Sequence, residues 1–139
     1  MATARTTKIN RPATAPHYGL EHYCRDLNGW PHWWMGLEKD LPPGEQLLVV
    51  FRPFLERLAA SSLSPKTIQK HVDNVWVLGG EFIRDLHNDP VLRKKPVDRV
   101  LLHMIEYGGP LLYHGGEDQQ RSFDSTCRKF RKFLTVTAR

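Results

Sequence analysis

Cysteine is scarce: the 139 residues hold two, Cys24 and Cys127, about a hundred positions apart. Two distant thiols build no disulfide framework, so a reducing compartment, most simply the cytoplasm, is the expected setting. Long apolar runs are also lacking. None approaches the roughly 20 residues needed to cross a bilayer, and no membrane partner is expected. Residues 1–15 carry Arg5, Lys8 and Arg11 but no apolar stretch, which excludes a secretory leader. Strand-period alternation is missing as well. The one ambiguous run, Leu47-Leu48-Val49-Val50-Phe51, follows Glu45, which favours a helix start. Catalytic groupings are equally thin. His17, His22, Cys24 and His32 lack the second paired half that a zinc site needs. His22 beside Cys24, and His103 near Glu106, are acid–base pairs with no third orienting group. No metal, cofactor or small-molecule substrate is expected, and no catalytic residue is assigned.

What remains is an ordinary globular composition with a basic bias. Hydrophobic residues make up 40% and charged residues 25%, which argues against wholesale disorder. A chain of this length forms one domain and buries roughly two-thirds of its unfolded surface. The net charge of +5 permits an anionic partner without demanding one, so the placement of the cations matters more than their sum.

Residues 1–16, rich in Thr, Ala, Arg and Pro, read as a flexible basic arm. Residues 17–44 are aromatic rather than charged, with Trp30, Trp33, Trp34 and Met35 at their centre. Gly29, Pro31, Gly36 and Pro42-Pro43-Gly44 preclude a long helix there, so short turns and loop are expected, ending at the Pro-Pro-Gly stop. The tryptophans must be covered, by the domain that follows or by a partner.

Four helical segments then occupy residues 45–136. The first runs from Glu45 to Ser61 with Leu47, Phe51, Phe54, Leu55 and Leu58 along one stripe, and Pro53 should bend or break it. The second opens at Ser64, whose hydroxyl can cap free N–H groups, with Pro65 at the first helical position. Ile68, Val72, Val75, Gly79, Phe82 and Leu86 give its inward face. Gly79-Gly80 in its middle signals a kink or the close approach of another helix. A connector with Arg93-Lys94-Lys95 leads to a short third segment, Val97 to Tyr107, closed by Gly108-Gly109-Pro110. The fourth begins near Glu117, buries Phe123, Cys127, Phe130 and Leu134, and carries Arg128, Lys129, Arg131 and Lys132 on its polar side. Residues 137–139 are a tail.

Phe54-Leu55-Glu56-Arg57-Leu58, then Leu63-Ser64-Pro65-Lys66-Thr67-Ile68 and its helix, and finally Phe130-Arg131-Lys132-Phe133-Leu134, together set a pattern. Over residues 45–136 the chain resembles the core-binding domain of tyrosine recombinases and phage integrases. The resemblance implies an all-α, SAM-like bundle of four helices in two crossed hairpins, here preceded by the aromatic extension. The chain departs from that family at His71, where a Tyr is usual, at Trp76-Val77-Leu78-Gly79-Gly80, and in its longer connector from Asn88 to Lys95. None of Tyr18, Tyr23, Tyr107 or Tyr113 stands in the context of the family's nucleophile, and the chain ends at Arg139, after the fourth helix. The expectation is a non-catalytic module.

By position, the resemblance implies that Lys66, Thr67 and Lys70 contact the phosphates of duplex DNA. Arg128, Lys129, Arg131 and Lys132 would supply the second edge, and Arg93, Lys94 and Lys95 an extension. Such contacts position a protein without reading sequence. The alternative is a protein-interaction module anchored on Trp30, Trp33, Trp34 and Met35, because Trp is enriched in binding hot spots. Exposed tryptophans with lysines paired to Asp73 or Glu81 would favour that alternative. Buried tryptophans with the cations on one open face would favour DNA. His71 and His87 carry no assigned role, and titration near neutrality would tune the basic charge.

Overall fold

Ser64 starts the longest element of the fold, and the reasons are local. Its Oγ accepts from the Thr67 N–H at 3.2 Å, and Pro65 occupies the first helical position. The computed structural model describes residues 17–137. The expected arm at 1–16 lies outside the described residues, as does the tail at 137–139 apart from the backbone of Thr137. The helices are α1 (Leu20–Tyr23), α2 (Trp30–Trp34), α3 (Leu41–Ala59), α4 (Pro65–Asn88), α5 (Val97–Met104) and α6 (Gly116–Thr137). Single 3₁₀ turns at Leu27–Gly29, Glu38–Asp40 and Pro90–Lys94 join some of them. No strand occurs among the described residues, so the fold is all-α. No described helix is long and apolar enough to cross a membrane.

The boundary expected at residue 45 falls inside α3. Pro42 and Pro43 do not stop a helix here; they begin one. A first turn needs no backbone donors for its own ladder, so proline is tolerated there. Pro53 also fails to break α3, which stays helical from Leu41 to Ala59. Pro53 lies on the solvent face, and the carbonyl it leaves without a partner belongs to Val49, which is likewise exposed, so water can satisfy it. The opposite stripe, Leu47, Phe51, Phe54, Leu55 and Leu58, is fully buried.

Helices α3 and α4 form a hairpin across residues 60–64. Helix α6 lies parallel to α3, with Phe130 against Phe51 and Phe54 at 5.5 and 4.8 Å between ring centroids, and Phe133 against Phe54 at 5.4 Å. It lies antiparallel to α4, as polar pairs between His71 and Thr126 and between Asn74 and Ser122 require. Helix α5 packs on α3 through Val100 and Leu101. It stops at Met104, short of the expected Tyr107. Ile105 is the last buried side chain, and Tyr107 is 90% exposed with nothing to pack against.

Residues 17–44 form two short helices and turns rather than loop alone, and they close one side of the bundle. Trp30 and Trp34 are buried, edge to face at 5.7 Å, and Trp34 meets Phe51 at 6.0 Å. Gly79 is the notch that admits Trp34: a Cβ there would overlap the six-membered ring. The close approach expected at Gly79-Gly80 is therefore that of the Trp34 side chain. Helix α4 runs unbroken through the pair. The indole Nε1 donates to the Trp76 carbonyl at 2.9 Å, which satisfies its one buried polar atom.

Candidate nucleic-acid interface

The first turn of α4 and the second half of α6 meet because the two helices are antiparallel. Their register is set by a polar seam inside an otherwise apolar contact. Asn74, 3% exposed, donates to the Ser122 carbonyl, Ser122 Oγ and Thr126 Oγ1 at 3.2, 3.1 and 2.9 Å. Thr126 Oγ1 also pairs with His71 Nδ1 at 2.8 Å. Burial holds the His71 pKa below the ordinary histidine range, and the charges of Lys129 and Lys70 push it further down. Both effects disfavour the charged form of His71, against the expectation that it tunes the basic charge.

Above the seam runs an open groove of about 610 Å³, walled by Lys66 and Lys70 of α4 and by Gln119 and Ser122 of α6. It changes sign along its length, since Asp73 and Asp118 line it too. Asp118 is occupied by Arg121, one turn along its own helix. A second groove of about 210 Å³ at the same end of the bundle lies between α3 and α6, lined by Arg57, Lys129 and Lys132 with Phe54 and Phe133. Arg57 sits 5.6 Å over the Phe133 ring, which holds the guanidinium in place. Lys66, Lys70, Arg57, Lys129 and Lys132 thus gather at one end. None of them forms an ion pair among the described residues.

The other expected contacts divide. Thr67 is half-buried and bonded to Ser64 Oγ at 2.9 Å, so its hydroxyl serves the helix cap. Arg128 and Arg131 line neither groove. Arg93 is withdrawn altogether: its Nη2 bonds Asp40 Oδ1 at 2.6 Å, its Nη1 bonds the Lys39 carbonyl at 3.3 Å, and its side chain is 17% exposed. Lys94 and Lys95 are exposed but follow the far end of α4, roughly 27 Å from Lys70 at 1.5 Å rise per residue. The run Arg93-Lys94-Lys95 is not brought to the groove.

Asp40 is the centre of a cluster that sequence reasoning missed. It is fully buried and accepts four bonds, from the Gly36 and Leu37 N–H groups, His87 Nε2 and Arg93. Burial alone would raise its pKa. Arg93, the Leu37 N–H, His87 and the Gly36 N–H outweigh burial and hold the carboxyl well below the ordinary carboxylate range. His87 thereby acquires a role in closing the end of α4 onto the N-terminal segment. Arg57 was also missed, since the leucine-rich pattern around it draws attention to its apolar neighbours. The signal that could have found it is its place one turn after Pro53 on the exposed side of the stripe.

The four residues of the alternative separate as well. Trp30 and Trp34 are core, Met35 is half-buried, and Trp33 is 70% exposed. Neither Asp73 nor Glu81 takes a lysine: Asp73 accepts from Gln69 at 2.9 Å, and Glu81 lies 4.0 Å from Arg84. His22 stacks on Tyr18 at 3.7 Å, and Cys24 is buried with its thiol donating to the Leu20 carbonyl. His103 and Glu106 are 3.8 Å apart, with the histidine largely exposed. No protein-family model, curated protein or solved structure matches the chain.

Proposed function

We propose that this chain is a non-catalytic module that holds duplex DNA by its backbone, of the kind found as the SAM-like core-binding domain of integrases, and that it serves DNA integration or recombination. The observation that carries this reading is the gathering of Lys66 and Lys70 of α4 with Lys129 and Lys132 of α6 and Arg57 of α3 at one end of the bundle, none of them paired with a carboxylate among the described residues. Five unpaired cations on one face cost self-repulsion, which a polyanion relieves by releasing its own counterions. The order of the helices and the α3–α4 hairpin suit the first of two crossed hairpins. Nothing on this face reads base edges, so the binding is general rather than sequence-specific.

The test is fluorescence anisotropy with a labelled duplex across a salt series. Neutralising about five phosphates gives a log–log slope near −4.5, with Kd on the order of 10⁻⁴–10⁻⁶ M at physiological salt. Lys66→Glu with Lys70→Glu should weaken binding and lower the magnitude of the slope by about 2. Salt-independent binding, or a double variant that binds like the parent, would sink this reading.

A further inference from the structure

A second surface lies on α4 a turn and a half beyond the lysines, and its chemistry is the reverse of theirs. Trp33 of α2, 70% exposed, and Trp76 of α4, 42% exposed, border an open cavity of about 630 Å³ floored by Tyr23, Trp30 and Val77. Its charged lining residues are both acidic, Asp26 and Asp73, and neither forms an ion pair among the described residues. The two large indoles are exposed, although this chain buries Trp30 and Trp34. The backbone beneath each is anchored: Trp33 stands on α2 beside the buried Trp30 and Trp34, and the Trp76 carbonyl accepts from Trp34 Nε1 at 2.9 Å. Gln69 Nε2 fixes Asp73 at 2.9 Å while also donating to the Tyr23 carbonyl at 3.0 Å, which ties the cavity's two walls together. A surface ordered before binding loses little freedom on binding.

Charge decides what such a surface accepts. Asp73 stands at the border and lines the Lys66–Lys70 groove as well; with Asp26 it makes this side repel a phosphate chain. Tryptophan faces attract cations, and guanidinium groups most readily because they are planar and weakly hydrated. Carboxylates at the rim suit the same group through paired hydrogen bonds. We infer that the Trp33–Trp76 cavity docks an arginine-bearing segment of a partner protein, with guanidinium stacked on indole and held by Asp26 and Asp73. The inference is independent of DNA binding and gives the chain two faces of opposite charge. A module of this kind would hold nucleic acid with one face and tether a protein with the other.

The experiment uses the full chain and a capped pentapeptide with two arginines separated by glycine, followed by tryptophan emission and calorimetry. A saturable change is expected, with Kd about 10⁻⁴–10⁻³ M. Trp33→Ala should weaken it about five- to tenfold, and Asp73→Asn about threefold, with less salt dependence. Both positions are exposed, so the fold is retained, which circular dichroism checks. Lys66→Glu with Lys70→Glu should leave peptide affinity unreduced. Absence of binding, equal binding of the diglutamate peptide, or an unchanged Trp33→Ala variant overturns the inference. So does a short oligothymidine that binds more tightly and in a Trp33-dependent way, since the surface would then be a base-stacking platform. Tighter peptide binding on reversing Arg5, Lys8 and Arg11 to Glu would show that this chain's own arm competes for the cavity, which also overturns it.

Discussion

Gly79 and Gly80 are adjacent in the interior of α4, and alanine at the two positions should move stability in opposite directions. Helix propensity alone predicts a gain of about 1 kcal/mol at either site. At Gly80 nothing opposes that gain: an added methyl would meet Trp34 Cδ1 at 3.7 Å, an ordinary contact. At Gly79 the methyl would overlap the Trp34 ring, which packs edge to face with Trp30 and Phe51. Overpacking of that kind costs about 1–3 kcal/mol. Expelling the indole also breaks the bond from Nε1 to the Trp76 carbonyl, worth about 1 kcal/mol. The propensity gain offsets only part of this, so Gly79→Ala should destabilise by about 1–3 kcal/mol while Gly80→Ala stabilises by up to about 1. Urea unfolding followed by far-ultraviolet circular dichroism gives both values on one scale, with the slope expected to stay constant. The Gly79→Ala transition should fall below that of the parent and the Gly80→Ala transition above it. A Gly79→Ala protein as stable as the parent would mean that Trp34 does not occupy the notch, and the account of residues 17–44 as part of the core would fail with it.

The buried Asp40 cluster should show in acid. The folded-state pKa of Asp40 lies below its unfolded value, so its contribution is complete above the ordinary carboxylate range and is lost as pH falls beneath it. Asp40→Asn leaves Arg93 uncompensated and should cost about 3–5 kcal/mol at neutral pH, with a flatter acid limb in a pH series of melting temperatures; an unchanged limb would refute this. Burial pushes the Cys24 thiol up to about 11 and the Cys127 thiol up to about 12. Both should resist a thiol-titrating disulfide at pH 8 until urea unfolds the chain, and prompt reaction of either would contradict its burial. A chain starting at residue 45 would lose Trp30 and Trp34, whose burial is worth at most roughly 8–12 kcal/mol at 150–250 Å² each. That equals the whole stability of a typical domain, so no cooperative urea transition is expected from it, and a sharp one would show the N-terminal segment to be dispensable.

Apolar periodicity made the long helices legible. The stripes from Leu47 to Leu58, Ile68 to Leu86 and Phe123 to Phe130 are buried as their spacing requires. Helix ends were legible where a side chain marks them, as at Ser64, and misread where proline has two meanings. Pro42-Pro43 looks like a stop in one dimension and is a first turn in three, because only the chain that follows decides whether a missing N–H matters. The site was half legible for a related reason. Spacing shows which residues share a helix face, so Lys66 with Lys70 and Lys129 with Lys132 could be paired in advance. It does not show which faces of different helices meet. Arg57 joins the basic end only through α3–α6 packing. Arg93 lies past the far end of α4, where it pairs with Asp40, more than fifty residues earlier. Trp33 and Trp34 are neighbours in sequence with opposite fates, since one points into the Gly79 notch and the other away from it.

The charge pattern of the candidate interface depends on the polar seam beneath it. An all-apolar contact between α4 and α6 would tolerate a slip of one turn, about 5.4 Å, because Phe123, Cys127 and Phe130 could trade places against Val72, Val75 and Leu78 with modest loss. Asn74 and Thr126 forbid it. Both are buried, and a slipped register would strand the Asn74 amide and the Thr126 hydroxyl among hydrocarbon at about 1–3 kcal/mol each. The seam therefore contributes specificity beyond its small net stabilisation. It sets both Lys70 and Lys129 near His71, whose pKa their charges lower, and a slip of one turn would shift these two cations about 5.4 Å past each other. Two buried polar side chains thus fix how the cations of α4 and α6 are spaced on this end of the bundle.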